Sequence, residues 1–361
     1  MNGVVTHGGN LYAAARASGR RLQSLIDFSA SINPLGPSPH AIRAIVSALP
    51  LTAHYPDPDC VALRQALAAH YRLIPDQLLI GNGSTELIHL LPRALAIRQA
   101  LIIGPTFSEY ARAVMLAGGR VLPAQAQRSD EYRPPIERAI EILRKNRTSI
   151  DAVFLCNPNS PTGQAVDVER VVELVQAISR RGGRGIIDET FIEYCAERSI
   201  LPHLNRVSRL LVLRSFTKFY ALPGLRIGCL AGPVEDVRRM KPWQPPWSVN
   251  TLSQAAVTAA VRDVGYARKS RAFMDAERAR LAKRLEALPE VVVFPSEANF
   301  LLLELSRRHS ARQIVGALGR QGLLVRDCSS IDGLDSRMIR IAVRTEAENR
   351  RLLIAFRRLL S

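Results

Sequence analysis

Residues 209–226 read RLLVLRSFTKFYALPGLR. Leu210, Leu211, Val212 and Leu213 make a short apolar run of the kind that forms a buried strand. The run breaks into Ser215, then Lys218 among Phe216, Phe219 and Tyr220, then a Pro223-Gly224 turn and Arg226. Open α/β sheets bind ligands beyond the carboxyl ends of their strands, so polar groups at such a point are candidates for chemistry. An amine held among apolar side chains has a lowered pKa and becomes nucleophilic. A lysine that merely snorkels to the surface would show the same letters. Composition sharpens the point: of 49 cationic residues only five are Lys (145, 218, 241, 269 and 283), so a Lys kept in an apolar segment is notable. The Ser215-x-x-Lys218 spacing is also that of serine β-lactamases, but their S-D-N and K-T-G partners are missing.

Outward from this segment the same grammar repeats. LLIG (78–81) precedes a helical pattern opening near Ser84, and ALIIG (100–104) precedes another near Ser108. DAVFLC (151–156) runs into a Pro-rich turn and a helix from Val168 to about Arg181. GRGIID (183–188) ends in an acid, and LRIGCLAG (225–232) follows the Lys segment. Short apolar strands alternating with helices predict an α/β domain with a largely parallel sheet flanked by helices. From about Ser270 the pattern changes to a long helix, VVVFP, NFLLLEL, a helix, LLVRD, MIRIAVR and a last helix opened by the capping box Thr345-x-x-Glu348. That mixture predicts a smaller α+β C-terminal domain. The division expected is an N-terminal arm, 1–40, near the active site or the small domain. A large ligand-binding domain, 41–270, and a small domain, 271–361, complete it. No periodicity places residues 1–40.

The residues just after each strand carry the functional reading. In GNGSTE (81–86), Gly83 permits close backbone approach, and Ser84 and Thr85 open a helix whose free N–H groups suit a phosphate. A plain cap by Asn82 or Ser84 reads equally well, and the dinucleotide and P-loop fingerprints are incomplete. Asn157-Pro158-Asn159-Ser160-Pro161-Thr162-Gly163 is a stiff turn, its Asn either a turn residue or an amide held in a site. Asp188 and Glu189 end an apolar strand, where a carboxylate is costly to bury unless a cation meets it.

Together these are the needs of one cofactor. Pyridoxal phosphate requires a lysine to condense with its aldehyde, an acid facing its ring nitrogen and an anion site for its phosphate. Lys218, Asp188 and the group Gly83, Ser84, Thr85, Ser215 and Arg226 supply them in turn. Asn157 would donate to the ring O3′, and Phe107, in PTFSEY (105–110), would stack on the ring face.

Whole-chain properties exclude the competing classes. The 361 residues suggest two domains at roughly 150 residues each. With 47% apolar and 22% charged residues, the chain is neither disordered nor a coiled coil. No apolar run approaches the roughly 20 residues of a membrane span, and MNGVVTHGGN does not read as a secretory signal, so the cytoplasm is expected. The net charge of +17 is scattered along the chain as single Arg residues and pairs, which argues for an anionic small substrate over nucleic acid. Five Cys without a C-x-x-C predict reduced thiols, and no His or Cys spacing suggests a metal.

The motifs YPD (55–57), GNGSTE, NPNSPTG (157–163), DETF (188–191) and SFTKFYALPGLRIG resemble the class I/II aminotransferase superfamily of pyridoxal-phosphate fold type I over nearly the whole chain. Within it, HGGN (7–10), DFSASINPLG (27–36), PTFSEY, LRSFTKFYALPGLR, PWSVN (246–250) and GLDSRMIRIAVR (333–344) are similar to the threonine-phosphate decarboxylases of cobalamin biosynthesis. Histidinol-phosphate aminotransferases share the cofactor residues but usually lack the HGGN opening, and they are the alternative. The resemblance implies decarboxylation of L-threonine O-3-phosphate to (R)-1-aminopropan-2-ol O-phosphate. It also implies a homodimer in which Tyr55 reaches the partner's cofactor phosphate. His7, Gly8, Ser31, Asn157, Arg326 and Arg340 would bind substrate, the two guanidiniums suiting a phosphate and a carboxylate. Ser31 stands where the family usually has Asn. Phe191 stands where many aminotransferases have a Tyr bonded to O3′, and Thr190 replaces a commoner Ala with no role legible in the sequence.

Overall fold

The computed structural model describes residues 8–146 and 148–360. Seven strands form the central sheet: β1 (Leu78–Gly81), β2 (Gln99–Gly104), β3 (Arg120–Gln125), β4 (Ala152–Cys156), β5 (Arg184–Asp188), β6 (Leu210–Ser215) and β7 (Gly228–Ala231). Their spatial order is β1-β7-β6-β5-β4-β2-β3, with β7 antiparallel to both neighbours and every other pair parallel. β4 and β6 are buried along their whole length, as strands covered on both faces must be. Alternation sorts their side chains. Phe154, Ile186, Leu211 and Leu213 meet the helices Gly83–Ala94, Glu109–Leu116 and Val234–Met240 on one face. Val153, Leu155, Ile187 and Val212 meet Ile136–Lys145 and Val168–Ser179 on the other.

The strands read from the sequence stand within a residue or two of their expected places, except that LRIGCLAG contributes only Gly228–Ala231. Several features were not anticipated, three of them bearing on the edges of the fold. β3 is a half-exposed edge strand, pairing only with β2, so Pro123 within it forfeits no necessary hydrogen bond. The helix Ile136–Lys145 follows it. A helix Leu11–Ser18 starts where Asn10 Oδ1 accepts from Ala13 N at 2.9 Å.

The helix Val264–Glu286 leads to a four-stranded antiparallel sheet of β8 (Val291–Val293), β9 (Phe300–Leu305), β10 (Arg326–Asp327) and β11 (Met338–Ala342), ordered β10-β11-β9-β8. LLVRD, read as one strand, is two: Leu323–Leu324 pairs in parallel with Ile26–Asp27, and Arg326–Asp327 turns to join β11. The parallel pair is a small sheet of its own, extended by Phe28 N donating to Leu324 O at 2.7 Å, and it is tied to the four-stranded sheet where Phe28 O accepts from Ala342 N at 2.8 Å. The chain then runs past Ser29, Ala30 and Ser31 along the mouth of the main cavity. All five cysteines are free and buried.

Candidate active site

The carboxyl ends of β1, β5 and β6, the helix start at Gly83 and the inner end of β11 surround a cavity of about 450 Å³. Its wall includes Gly8, Ser31, Ser84, Thr85, Phe107, Asp188, Ser215, Lys218, Arg226, Arg326 and Arg340. Eleven positions singled out from the sequence therefore meet at one place.

The anion cradle is built by close approach. Gly83, with φ +79°, opens its helix beneath Arg226, whose Nη2 lies 2.7 Å from where a Cβ at Gly83 would sit. On β7, a Cβ at Gly228 would meet Ser84 N at 2.5 Å, so a side chain there would push the helix start out of the cradle. Gly228 was not singled out from the sequence, where it reads as one more strand residue. Ser215 ends β6 on the facing side, its Oγ 2.8 Å from Thr217 Oγ1. Backbone N–H groups, the hydroxyls of Ser84, Thr85, Ser215 and Thr217 and a guanidinium thus line one spot, the set that suits a phosphate.

Lys218 lies on the wall without an acidic partner among the described residues. Burial first, and then the positive charges of Arg340 and Arg226, push its amine down to about 8. The two carboxylates at the end of β5 part ways. Glu189 turns away and pairs with Arg214 at 2.9 Å, which also meets Glu193 at 3.1 Å. Asp188 faces the cavity with neutral donors only. Tyr110 Oη donates to its Oδ2 at 2.8 Å, and Thr190 donates to Oδ1 through Oγ1 at 2.6 Å and N at 2.9 Å. Burial raises the Asp188 carboxyl, and these donors oppose the rise. Tyr110 and Thr190 were missed as site residues: Tyr110 reaches Asp188 across a fold contact that no spacing reveals, and Thr190 sits two residues on, where the sequence shows a hydroxyl but not that it turns back to the carboxylate.

Arg326 and Arg340 are register partners across β10 and β11. Arg340 donates to Ser160 Oγ at 2.8 Å and to Ser29 O at 3.0 Å, lies over the Phe300 ring at 4.9 Å, and keeps Nε unpartnered. Among the described residues neither arginine is paired with an acid. Burial presses Arg340 downward, so an anion in the cavity would find it an eager partner. Ser31 Oγ, also buried on the wall, has no partner either. Phe191 packs edge-on against Phe300 at 5.0 Å and brings no hydroxyl to the wall.

Two expected residues stand apart. Asn157 is fully buried beneath the wall, its Oδ1 accepting from Val166 N at 2.8 Å and its Nδ2 3.4 Å from Val166 O. Tyr55 is 80% exposed outside the cavity, stacked on Trp247 at 4.8 Å. His7 lies outside the described residues. No group of metal-ligating side chains occurs among the described residues.

Such a cavity, with a cradle for a phosphate, an isolated amine and a buried acid at successive strand ends, defines a fold-type-I site, and comparison with known proteins agrees. Residues 23–356 match the family model for aminotransferase class I and II. The chain belongs to that family. It is 37% identical over 357 residues to the threonine-phosphate decarboxylase of Salmonella typhimurium, covering 98% of this chain and 96% of that one. The L-threonine-O-3-phosphate decarboxylase of Porphyromonas gingivalis superposes with a TM-score of 0.82 at 25% identity, covering 92% and 98% of the two chains. A histidinol-phosphate aminotransferase from Sinorhizobium meliloti, solved in complex with pyridoxal-5'-phosphate, superposes with a TM-score of 0.86 at 25% identity over 98% of this chain and 95% of that one.

Proposed function

We propose that the protein is a pyridoxal-phosphate-dependent decarboxylase that converts L-threonine O-3-phosphate to (R)-1-aminopropan-2-ol O-phosphate and CO₂, a step of cobalamin biosynthesis. The observation that carries the reading is the pair Arg326–Arg340. Two cations without acidic partners face the cavity that holds Lys218, which suits a substrate carrying a phosphate besides its carboxylate. The near-full-length likeness to a threonine-phosphate decarboxylase supports the substrate.

The residues present fit the cofactor. Gly83, Ser84, Thr85, Ser215 and Arg226 would hold its phosphate, Asp188 its ring nitrogen, Phe107 its ring face, and Lys218 its aldehyde carbon. When bound, pyridoxal phosphate supplies a protonated ring that draws off the electron pair left at the substrate Cα. The chain does the rest. Asp188 keeps a proton at the ring nitrogen. Arg326 and Arg340 would grip the anionic ends of the substrate and so set whether its carboxylate or its Cα–H is presented for cleavage, the first in a decarboxylase, the second in an aminotransferase. Lys218, with its amine near 8, is placed to hand a proton to Cα after CO₂ leaves.

The reading extends to a cytoplasmic homodimer with shared active sites, without membrane or nucleic-acid partners. Five buried free thiols suit a reducing compartment. No helix of the described residues is long and apolar enough to cross a membrane. Tyr55 and Trp247, with Leu49 and Leu51 nearby in sequence, are large apolar side chains left exposed, and Tyr55 would reach the partner's phosphate cradle. Purified protein supplied with pyridoxal phosphate and threonine phosphate, without a keto acid, should release CO₂ and the amino-alcohol phosphate. Amino-group transfer to a keto acid without CO₂ would assign an aminotransferase instead.

A further inference from the structure

Asp188 is a buried carboxylate that meets no cation. The groups facing it are Tyr110 from the helix Glu109–Leu116, Thr190 from its own loop, and the Cys156 thiol on β4, in register with Asp188. Burial pushes that thiol far up, so it stays neutral. The hydroxyl of Thr190 reaches Asp188 Oδ1 at 2.6 Å, shorter than the 2.9 Å bond from its own backbone N–H to the same atom. The backbone N–H is available whatever residue stands at 190. The hydroxyl is what threonine adds, and its β-branch limits the rotamers from which it is offered.

A proton shared between two bases rests on the stronger one. Each donor that stabilises the ionised carboxylate weakens Asp188 as a base, and so favours a proton on the group opposite it. We propose that Thr190 is a positioning residue for Asp188: its hydroxyl fixes the carboxylate and keeps the proton shared with the cofactor on the ring nitrogen. This rests on the pyridoxal-phosphate reading given above. It assigns to Thr190 an added share in keeping the ring an electron sink, over what the backbone N–H of residue 190 supplies.

The test is ¹⁵N NMR of the full-length protein reconstituted with ring-¹⁵N pyridoxal phosphate, comparing wild type with Thr190→Ser, Thr190→Val and Thr190→Ala. The wild-type and Ser resonances should coincide in the protonated range. Val and Ala should both move toward the unprotonated position, reflecting an about tenfold lower ratio of ring-protonated to carboxyl-protonated forms. Their kcat should fall while KM for the substrate holds. Coincident wild-type, Val and Ala resonances would overturn the proposal even if activity dropped, because a packing defect alone would lower activity without moving the proton. That outcome would leave the cofactor reading standing. A wild-type chain that took up no pyridoxal phosphate would overturn both.

Discussion

The amine of Lys218 is held near 8 by burial and by two guanidiniums, and this has a consequence for the cofactor-free protein. A folded-state value below the unfolded one means that protonated Lys218 opposes folding. The penalty is fully present below about 8 and fades as pH rises toward the ordinary value of 10.5. Lys218→Met should therefore stabilise the cofactor-free protein at pH 7 by on the order of 2 kcal/mol, with the advantage shrinking by pH 10; urea unfolding at both pH values checks this. At Arg340, replacement by Lys keeps the charge but loses the fork that spans Ser160 and Ser29. Steady-state kinetics should show kcat/KM for threonine phosphate down about a hundredfold, mainly through KM. Charged letters such as Lys218, Asp188 and Arg226 were legible in the sequence because each stands where an apolar run breaks. Tyr110 was not, because it meets Asp188 only through the fold, and Thr190 was not, because a hydroxyl two residues on reads equally well as facing solvent.

Among the elements, the junction of β7 with the helix Gly83–Ala94 is the most exposed to a single change. Gly228→Ala would place a methyl 2.5 Å from Ser84 N and 2.8 Å from Arg214 O, both backbone atoms that cannot swing aside. The helix start must then withdraw, costing about 1–3 kcal/mol and weakening the hold on an anion. Thermal unfolding and pyridoxal-phosphate titration should both register it. The buried strands were readable because continuous apolar runs followed by turns have few other uses. β3 was not, because an edge strand exposed on one side carries Arg120, Pro123 and Gln125 and has no apolar run to announce it. The helix Leu11–Ser18 buries none of its residues, so it too offers no apolar stripe.

At the scale of the whole molecule, Tyr55 and Trp247 stack on each other in the open, at 80% and 48% exposure. If a second copy covers them, Tyr55→Ala combined with Trp247→Ala should shift the chain toward monomer in sedimentation or light scattering. It should also loosen the cofactor, since each cradle would lose the partner's tyrosine. A mixture of Tyr55→Ala and Lys218→Ala chains should regain part of the activity that each lacks, because one hybrid site has both residues intact. Decarboxylation itself is tested by its products. Protein loaded with pyridoxal phosphate is incubated with L-threonine O-3-phosphate under exclusion of any keto acid, following CO₂ and the amine. Stoichiometric CO₂ and 1-aminopropan-2-ol O-phosphate, abolished in Lys218→Ala, are the predicted result; cofactor uptake without CO₂, and amino transfer once a keto acid is added, would contradict it.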